Sequence, residues 1–223
     1  MPVERLSLFY PLKPYSCFQK FGESLACTPN DSTPQNRLPI LGKVNGVCPA
    51  GFRELYPLLG FAGHTGLDLR AYRGQRIYAS ADGIVEFIST EPERGLGVDI
   101  ITNTRFSMDG HGEHYAKYRN WHMLSIAVQK GQQVKAGDYI GQADNTGLTS
   151  GDHDHMELKP VEKNSNWVWY NTEQNGGFFG AIDPEPFFNG FHAQDAQMIF
   201  GVLRNIVSLY QQILNKLKGR KTV

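Results

Sequence analysis

Only three cysteines occur in 223 residues, Cys17, Cys27 and Cys48, all in the first quarter of the chain. No Cys-x-x-Cys pair is present, which argues against a zinc ribbon or a thioredoxin-like site. The small, odd count is too low for a disulfide scaffold. One bridge plus a free thiol and three reduced thiols both fit, and reduced thiols are expected. Net charge is also lacking: 22 Lys and Arg balance 22 Asp and Glu. No electrostatic argument therefore favours nucleic acid or an anionic membrane. No stretch reaches the roughly 18 apolar residues of a membrane span. The opening "MPVERLSLFYPLKPYSCF" has an acidic residue and prolines where a signal peptide carries a basic start and an apolar run. The expectation is a soluble protein without a signal peptide, made in the cytoplasm and exported by another route.

What is abundant is turn and strand material. There are 24 glycines, aromatics make up 12% and charged residues 20%. From Gly63 onward short alternating or apolar runs stand between glycine turns: "HTGLDLRA", "QRIYAS", "GIVEFIS", "GVDIIT", "EHYAKYRNWHML", "YIGQA" and "DHDHMELK". This pattern predicts a mainly β fold with an antiparallel sandwich- or barrel-like core and long loops. "RGQRIYASADGIV" (73–85) and "KGQQVKAGDYIG" (130–141) share Gly-Gln-x-(Ile/Val)-x-Ala, so two related hairpins are expected. "TNTRFSMDGHGEH" predicts a hairpin connection around Asp109-Gly110, and 161–190 reads as a long aromatic surface loop closing at Asp183-Pro184.

At 194–217 the period becomes helical, with Ile199, Leu203, Ile206, Tyr210, Ile213 and Leu217 on one stripe. The domain plan is thus a β domain over 1–190, irregular over about 20–62, and a C-terminal amphipathic helix in 191–223. That helix could dock on the β domain, self-associate, bind a partner or lie on a membrane surface.

Histidine and acid are placed with strand parity. In "HTGLDL", taken as a strand, His64 and Asp68 share a face with Gly66 between them. In "DHDHMEL", His153, His155 and Glu157 share a face while Met156 and Leu158 share the other. In "EHYAKYRNWHML", His122 shares its face with Asn120 and Tyr118. Neutral imidazoles and a carboxylate suit zinc, with about four ligand positions and one left for water in a catalytic centre. Asp154 is anomalous, since its face should be packed; solvation or a salt bridge to Lys159, Arg119 or Lys117 is expected. His111 and His114 read as solvated turn residues, and His192 lies beyond the site. Trp167, Trp169, Tyr170, Phe178 and Phe179 form either a groove wall or an ordinary packed loop.

"GHTGLDL", "WHML" and "SGDHDHMEL", in this order, resemble the signature of the lysostaphin-type (M23) zinc metallopeptidases, cell-wall endopeptidases also found in phage lysins. "GQQVKAGDYIGQADNTGLTSGDH" is similar to the segment that family carries before His-x-His, and "PYSCFQKFG" resembles the Phe-Gly element that opens the domain. The resemblance implies one Zn²⁺ held by His64, Asp68 and His155, with His122 and His153 as the catalytic pair. It implies Glu157 as a support fixing an imidazole, and Tyr118, Asn120 or Tyr56 as groups that steady the oxyanion or substrate. The implied function is hydrolysis of peptidoglycan cross-bridge or stem-peptide bonds by water activated at zinc. A phage or prophage lysin or virion-associated hydrolase is implied, acting on the wall after lysis, with an oligomer or virion contact through 194–217. The alternatives are a non-catalytic zinc-stabilised domain of the same fold, and a biotinyl- or lipoyl-type carrier. The carrier fits poorly because "ASADGI" presents no lysine at its turn.

Overall fold

The computed structural model describes residues 3–23, 60–92, 94–147, 149, 151–174, 176–192 and 210. The chain divides into two compact units, Met1–Asn189 and Gly190–Val223. The helix expected over 194–217 lies outside the described residues except for Tyr210, which is helical and exposed. Most of the irregular stretch at 20–62, with Tyr56, Cys27 and Cys48, lies outside them too. Cys17 is a half-buried free thiol.

The first unit is mainly antiparallel β. Its strands are β1 (Cys17–Gln19), β2 (Leu67–Arg70), β3 (Arg76–Tyr78), β4 (Gly83–Glu91), β5 (Gly95–Thr102), β6 (Phe106–Met108), β7 (Gly112–Ile126), β8 (Gln133–Val134), β9 (Tyr139–Ala143), β10 (His153–Lys163) and β11 (Trp169–Asn171). The main path through the sheet runs β1-β2-β10-β7-β5-β4-β8, with β11 on β10, β6 on β7, and β9 joining β7 to β3. Strand β7, fifteen residues long, is the spine and pairs with β10, β5, β6 and β9.

Alternation decides what each face carries. Leu67 and Leu69 of β2, Met156 and Leu158 of β10, Ala116 and Tyr118 of β7, and Val98 and Ile100 of β5 are fully buried in one apolar core. Burying a large side chain of this kind is worth about 1.5–3 kcal/mol, so this face fixes the register of all four strands. A slip by one residue would drive His153, His155 and Glu157 into that core.

The two related segments do not form separate hairpins; their strands pair across from one segment to the other. Strand β3 of the first pairs with β9 of the second, and β4 of the first pairs with β8 of the second. The Asp109-Gly110 turn joins β6 to β7, with Met108 opposite Gly112. The 161–190 segment is more ordered than a loop. β10 continues to Lys163 and turns back into β11, and a 3-10 turn forms at Glu185–Phe187. Among the described residues, no helix is long and apolar enough to cross a membrane.

Candidate active site

His64 does not lie within a strand; it precedes β2 and is clamped by the N-terminal segment. Its N–H donates to the Glu23 carbonyl (2.9 Å), and its carbonyl accepts from the Gly22 N–H (2.8 Å). Asp68, in β2, stands directly opposite His155 in β10. Gly66 makes this approach possible: a Cβ there would lie 2.3 Å from the Met156 carbonyl oxygen and 2.9 Å from His155 Nε2.

Three donor atoms therefore crowd one point. His155 Nδ1 lies 3.0 Å from His64 Nε2 and 2.9 Å from Asp68 Oδ1, and His64 Nε2 lies 3.1 Å from that same oxygen. All three residues are buried. His64 Nδ1 is 3.2 Å from the Lys20 carbonyl; donating its proton there leaves Nε2 with its lone pair turned inward. Burial would raise the Asp68 carboxyl, but His64 and His153 outweigh it and hold Asp68 well below the usual carboxylate range. Bonds of about 2.0–2.2 Å to a tetrahedral ion put neighbouring ligand atoms about 3.3 Å apart. The observed 2.9–3.1 Å separations are within a few tenths of an ångström of that. Two imidazoles and a carboxylate, without thiolate, fit a metal site that keeps a position open.

His122 and His153 flank this cluster. Their rings stand 4.7 Å apart, and the His153 Nε2 lies 3.4 Å from Asp68 Oδ1. Each ring is anchored through Nδ1 by a backbone carbonyl: His122 by Thr146 (2.7 Å) and His153 by Gly151 (2.8 Å). The ring edges carrying Nε2 are therefore the ones turned inward, and that of His153 faces Asp68. One residue ties the two backbones together, since the Asp144 N–H donates to the His122 carbonyl and its carbonyl accepts from the His153 N–H. Burial, with His153 and His155 nearby, pushes His122 down to about 3, so it is neutral at pH 7. Burial also lowers His153, but Asp68 more than offsets it and the net shift is upward.

Asn120 and Tyr118 do not share the face of His122, because strand alternation breaks at His122. This residue has φ of 62°, in the left-handed region that non-glycine residues rarely adopt. Trp121 and His122 consequently both reach the site face, while Asn120 and Tyr118 point to the core. The Tyr118 hydroxyl donates to the Ala81 carbonyl (2.6 Å), and Asn120 donates twice to Asp154 (2.8 and 3.1 Å). Both polar groups are thus engaged on the core face. Asp154 is neither solvated nor paired with a base. It is fully buried with Asn120 as its hydrogen-bond donor, and burial pushes its carboxyl up to about 7. Lys159, Arg119 and Lys117 lie on the opposite face of the sheet. Glu157 makes its close contacts not with an imidazole but with Arg119 (2.8 Å) and Lys159 (3.4 Å). Tyr56 lies outside the described residues. His111 and His114 pair with Glu173 and Glu162 rather than standing free in solvent. Trp167 is exposed, Trp169 packs on Tyr115, Phe178 on Phe21 and Phe179 on Phe61.

Trp121 and Thr146 belong to the site region and were not singled out by the sequence pattern, and Arg119 was expected only as a partner of Asp154. The only signal for Trp121 was its place directly before His122.

A β-sheet domain with a buried His-Asp-His cluster open to a metal and two more histidines beside it defines a site of the metallohydrolase kind. The comparisons with known proteins make this specific. Residues 62–167 match the model of peptidase family M23, and that part of the chain is an M23 peptidase domain. The chain is 36% identical over 107 residues to the peptidoglycan DD-endopeptidase ShyA of Vibrio cholerae, a match covering 48% of this chain and 23% of that protein. Its similarity to ShyB of the same organism is 31% over 134 residues, covering 57% and 29%. Among solved structures, a zinc-containing peptidase from Vibrio cholerae is 27% identical, with 70% of this chain and 37% of that one covered and a TM-score of 0.44. The chain thus spans about a quarter of the length of these curated relatives.

Proposed function

We propose that this protein is a zinc-dependent endopeptidase that hydrolyses peptide bonds in bacterial peptidoglycan. The observation that carries this reading is the convergence of buried His64, Asp68 and His155 on one point, with buried His122 and His153 beside it. The names of ShyA and ShyB supply the substrate class.

His64 Nε2, Asp68 Oδ1 and His155 Nδ1 would hold the ion. A bound zinc polarises the scissile carbonyl and lowers the pKa of a water in its open position. The residues of the chain do the rest. Asp68 stays ionised and balances part of the positive charge. His122 and His153 have Nδ1 tied to carbonyls, which leaves Nε2 of each as the atom that exchanges a proton or hydrogen bond beside the metal position. One accepts a proton from the attacking water and delivers it to the leaving amine; the other donates a hydrogen bond toward the developing oxyanion. The site's burial strengthens each of these interactions by excluding bulk water. A phage or prophage origin, action on the wall after lysis or from a virion, and a role for 194–217 in oligomer or virion contact go with this proposal. Their support is the motif resemblance and the helical pattern alone.

The test is zinc content together with peptidoglycan solubilisation for wild type and His153→Ala. Wild type should bind one zinc and release fragments, while His153→Ala should bind zinc and release none. Bound zinc with no digestion by wild type would establish instead a non-catalytic domain of the same fold.

A further inference from the structure

The third metal-site residue, His155, is held in an unusual way. A ligating histidine ordinarily donates its second ring N–H to a carboxylate, carbonyl or water, which fixes the ring. His64 has such an anchor in the Lys20 carbonyl. His155 Nε2 is sealed from solvent and has no hydrogen-bond partner among the described residues. Its ring instead lies nearly flat on the Trp121 indole, with centroids 5.0 Å apart and planes 14° apart.

The indole is itself held. Gly97 on β5 leaves room for it, since a Cβ there would lie 2.6 Å from Trp121 Cδ1. The Arg119 guanidinium lies 4.7 Å from the ring centroid and that of Arg94 lies 5.1 Å away. Arg119 is buried and pinned by Asp99 (2.9 Å) and Glu157 (2.8 Å), and Arg94 pairs with Glu91 (2.7 Å). The ion cluster on the sheet face thus ends on the indole, and the indole ends on the imidazole.

We propose that Trp121, clamped by Arg119 over Gly97, is the positioning residue that sets the His155 ring for metal binding, in place of the missing hydrogen bond. This also gives Glu157 a part: it holds Arg119, which holds Trp121. The inference rests on the reading of His155 as a metal ligand. Replacing Trp121 with a side chain that cannot stack frees the ring to rotate about χ2 and turns Nδ1 off the shared point. Supports of this kind change metal affinity by about 10–100-fold.

The experiment measures zinc affinity by chelator competition, and the visible absorption of the Co²⁺-substituted protein, for wild type, Trp121→Leu, Trp121→Phe and Gly97→Ala. Trp121→Leu should bind zinc about tenfold or more weakly and show altered Co²⁺ bands. Trp121→Phe, which can still stack, should recover most of the affinity. Gly97→Ala, which keeps the indole but displaces it, should fall with Trp121→Leu and serves if that variant does not fold. Wild-type zinc affinity and an unchanged Co²⁺ spectrum in Trp121→Leu or Gly97→Ala would overturn the proposal, as would a Trp121→Phe no better than Trp121→Leu. Failure of wild type to bind zinc at all would instead overturn the reading of the site itself.

Discussion

Gly66→Ala is the sharpest perturbation available, because it adds one methyl group at the seam between β2 and β10. The new Cβ would lie 2.3 Å from the Met156 carbonyl oxygen, where 3.4 Å is ordinary contact. Backbone, not a flexible side chain, blocks it, so the strands must part by about 1.1 Å, the difference between those two values. Gly66 does not have positive φ, so the penalty is steric and not conformational. Overpacking of this sort costs about 1–3 kcal/mol. Against this, the loss of backbone freedom in the unfolded chain returns only about 0.4–1 kcal/mol. For a unit of this size the net should lower Tm by a few degrees, at roughly 2–4 °C per kcal/mol. The larger effect falls on the metal, since Asp68 and His155 sit on the two strands being separated, and ligand distances tolerate only about 0.2 Å. Zinc affinity by chelator competition should drop by roughly 100-fold, the upper end for support of a metal site. A Gly66→Ala protein with wild-type Tm and zinc affinity would refute the close approach and the pairing of His155 with Asp68 across it.

Tyr118→Phe should leave turnover within about twofold of wild type and lower Tm, because its hydroxyl serves Ala81 in the core; the net worth of such a bond is about 1 kcal/mol. A large fall in kcat would return Tyr118 to the oxyanion. His122→Ala should keep zinc and lose about 10²–10⁴-fold in kcat, the usual worth of a general acid or base; loss of the metal would make it a ligand. Burial lowers Lys159 to about 8, whereas a lysine in the unfolded chain titrates near 10.4. Between these values the unfolded chain binds more protons, so stability rises with pH from about 8 to about 10.5, by at most about 3 kcal/mol. Urea denaturation across that range should show the rise in wild type and a flatter curve in Lys159→Met. Equal curves would show Lys159 to be charged in the fold.

Period-two alternation made much of this molecule legible. It placed His153 and His155 on one face and Met156 and Leu158 on the other, and it identified Gly66 as the gap between His64 and Asp68. The repeat at 73–85 and 130–141 was legible as two related pieces, but each expected hairpin is replaced by strands that pair across the two segments. Alternation failed where the backbone left it. The positive φ of His122 has no sequence signature, since any non-glycine residue there looks ordinary. That one dihedral brings His122 onto the face of Trp121 and Arg119, so parity counted back from His122 put Asn120 and Tyr118 on the wrong side. Asp154 was hidden for a second reason. Its partner is a neutral amide on the neighbouring strand, and charge patterning alone looks only for a base. Glu157 was placed on the correct face, but its contact with Arg119 depends on the register of β7 against β10, which composition does not encode.

Mass spectrometry of the fragments that the zinc-loaded protein releases from purified peptidoglycan of known cross-bridge chemistry decides whether the site is an endopeptidase. New amino and carboxyl termini are expected at one defined peptide bond, absent with His153→Ala and absent after chelation. Intact peptides with zinc bound, or cleavage within the glycan strand, would contradict the endopeptidase reading.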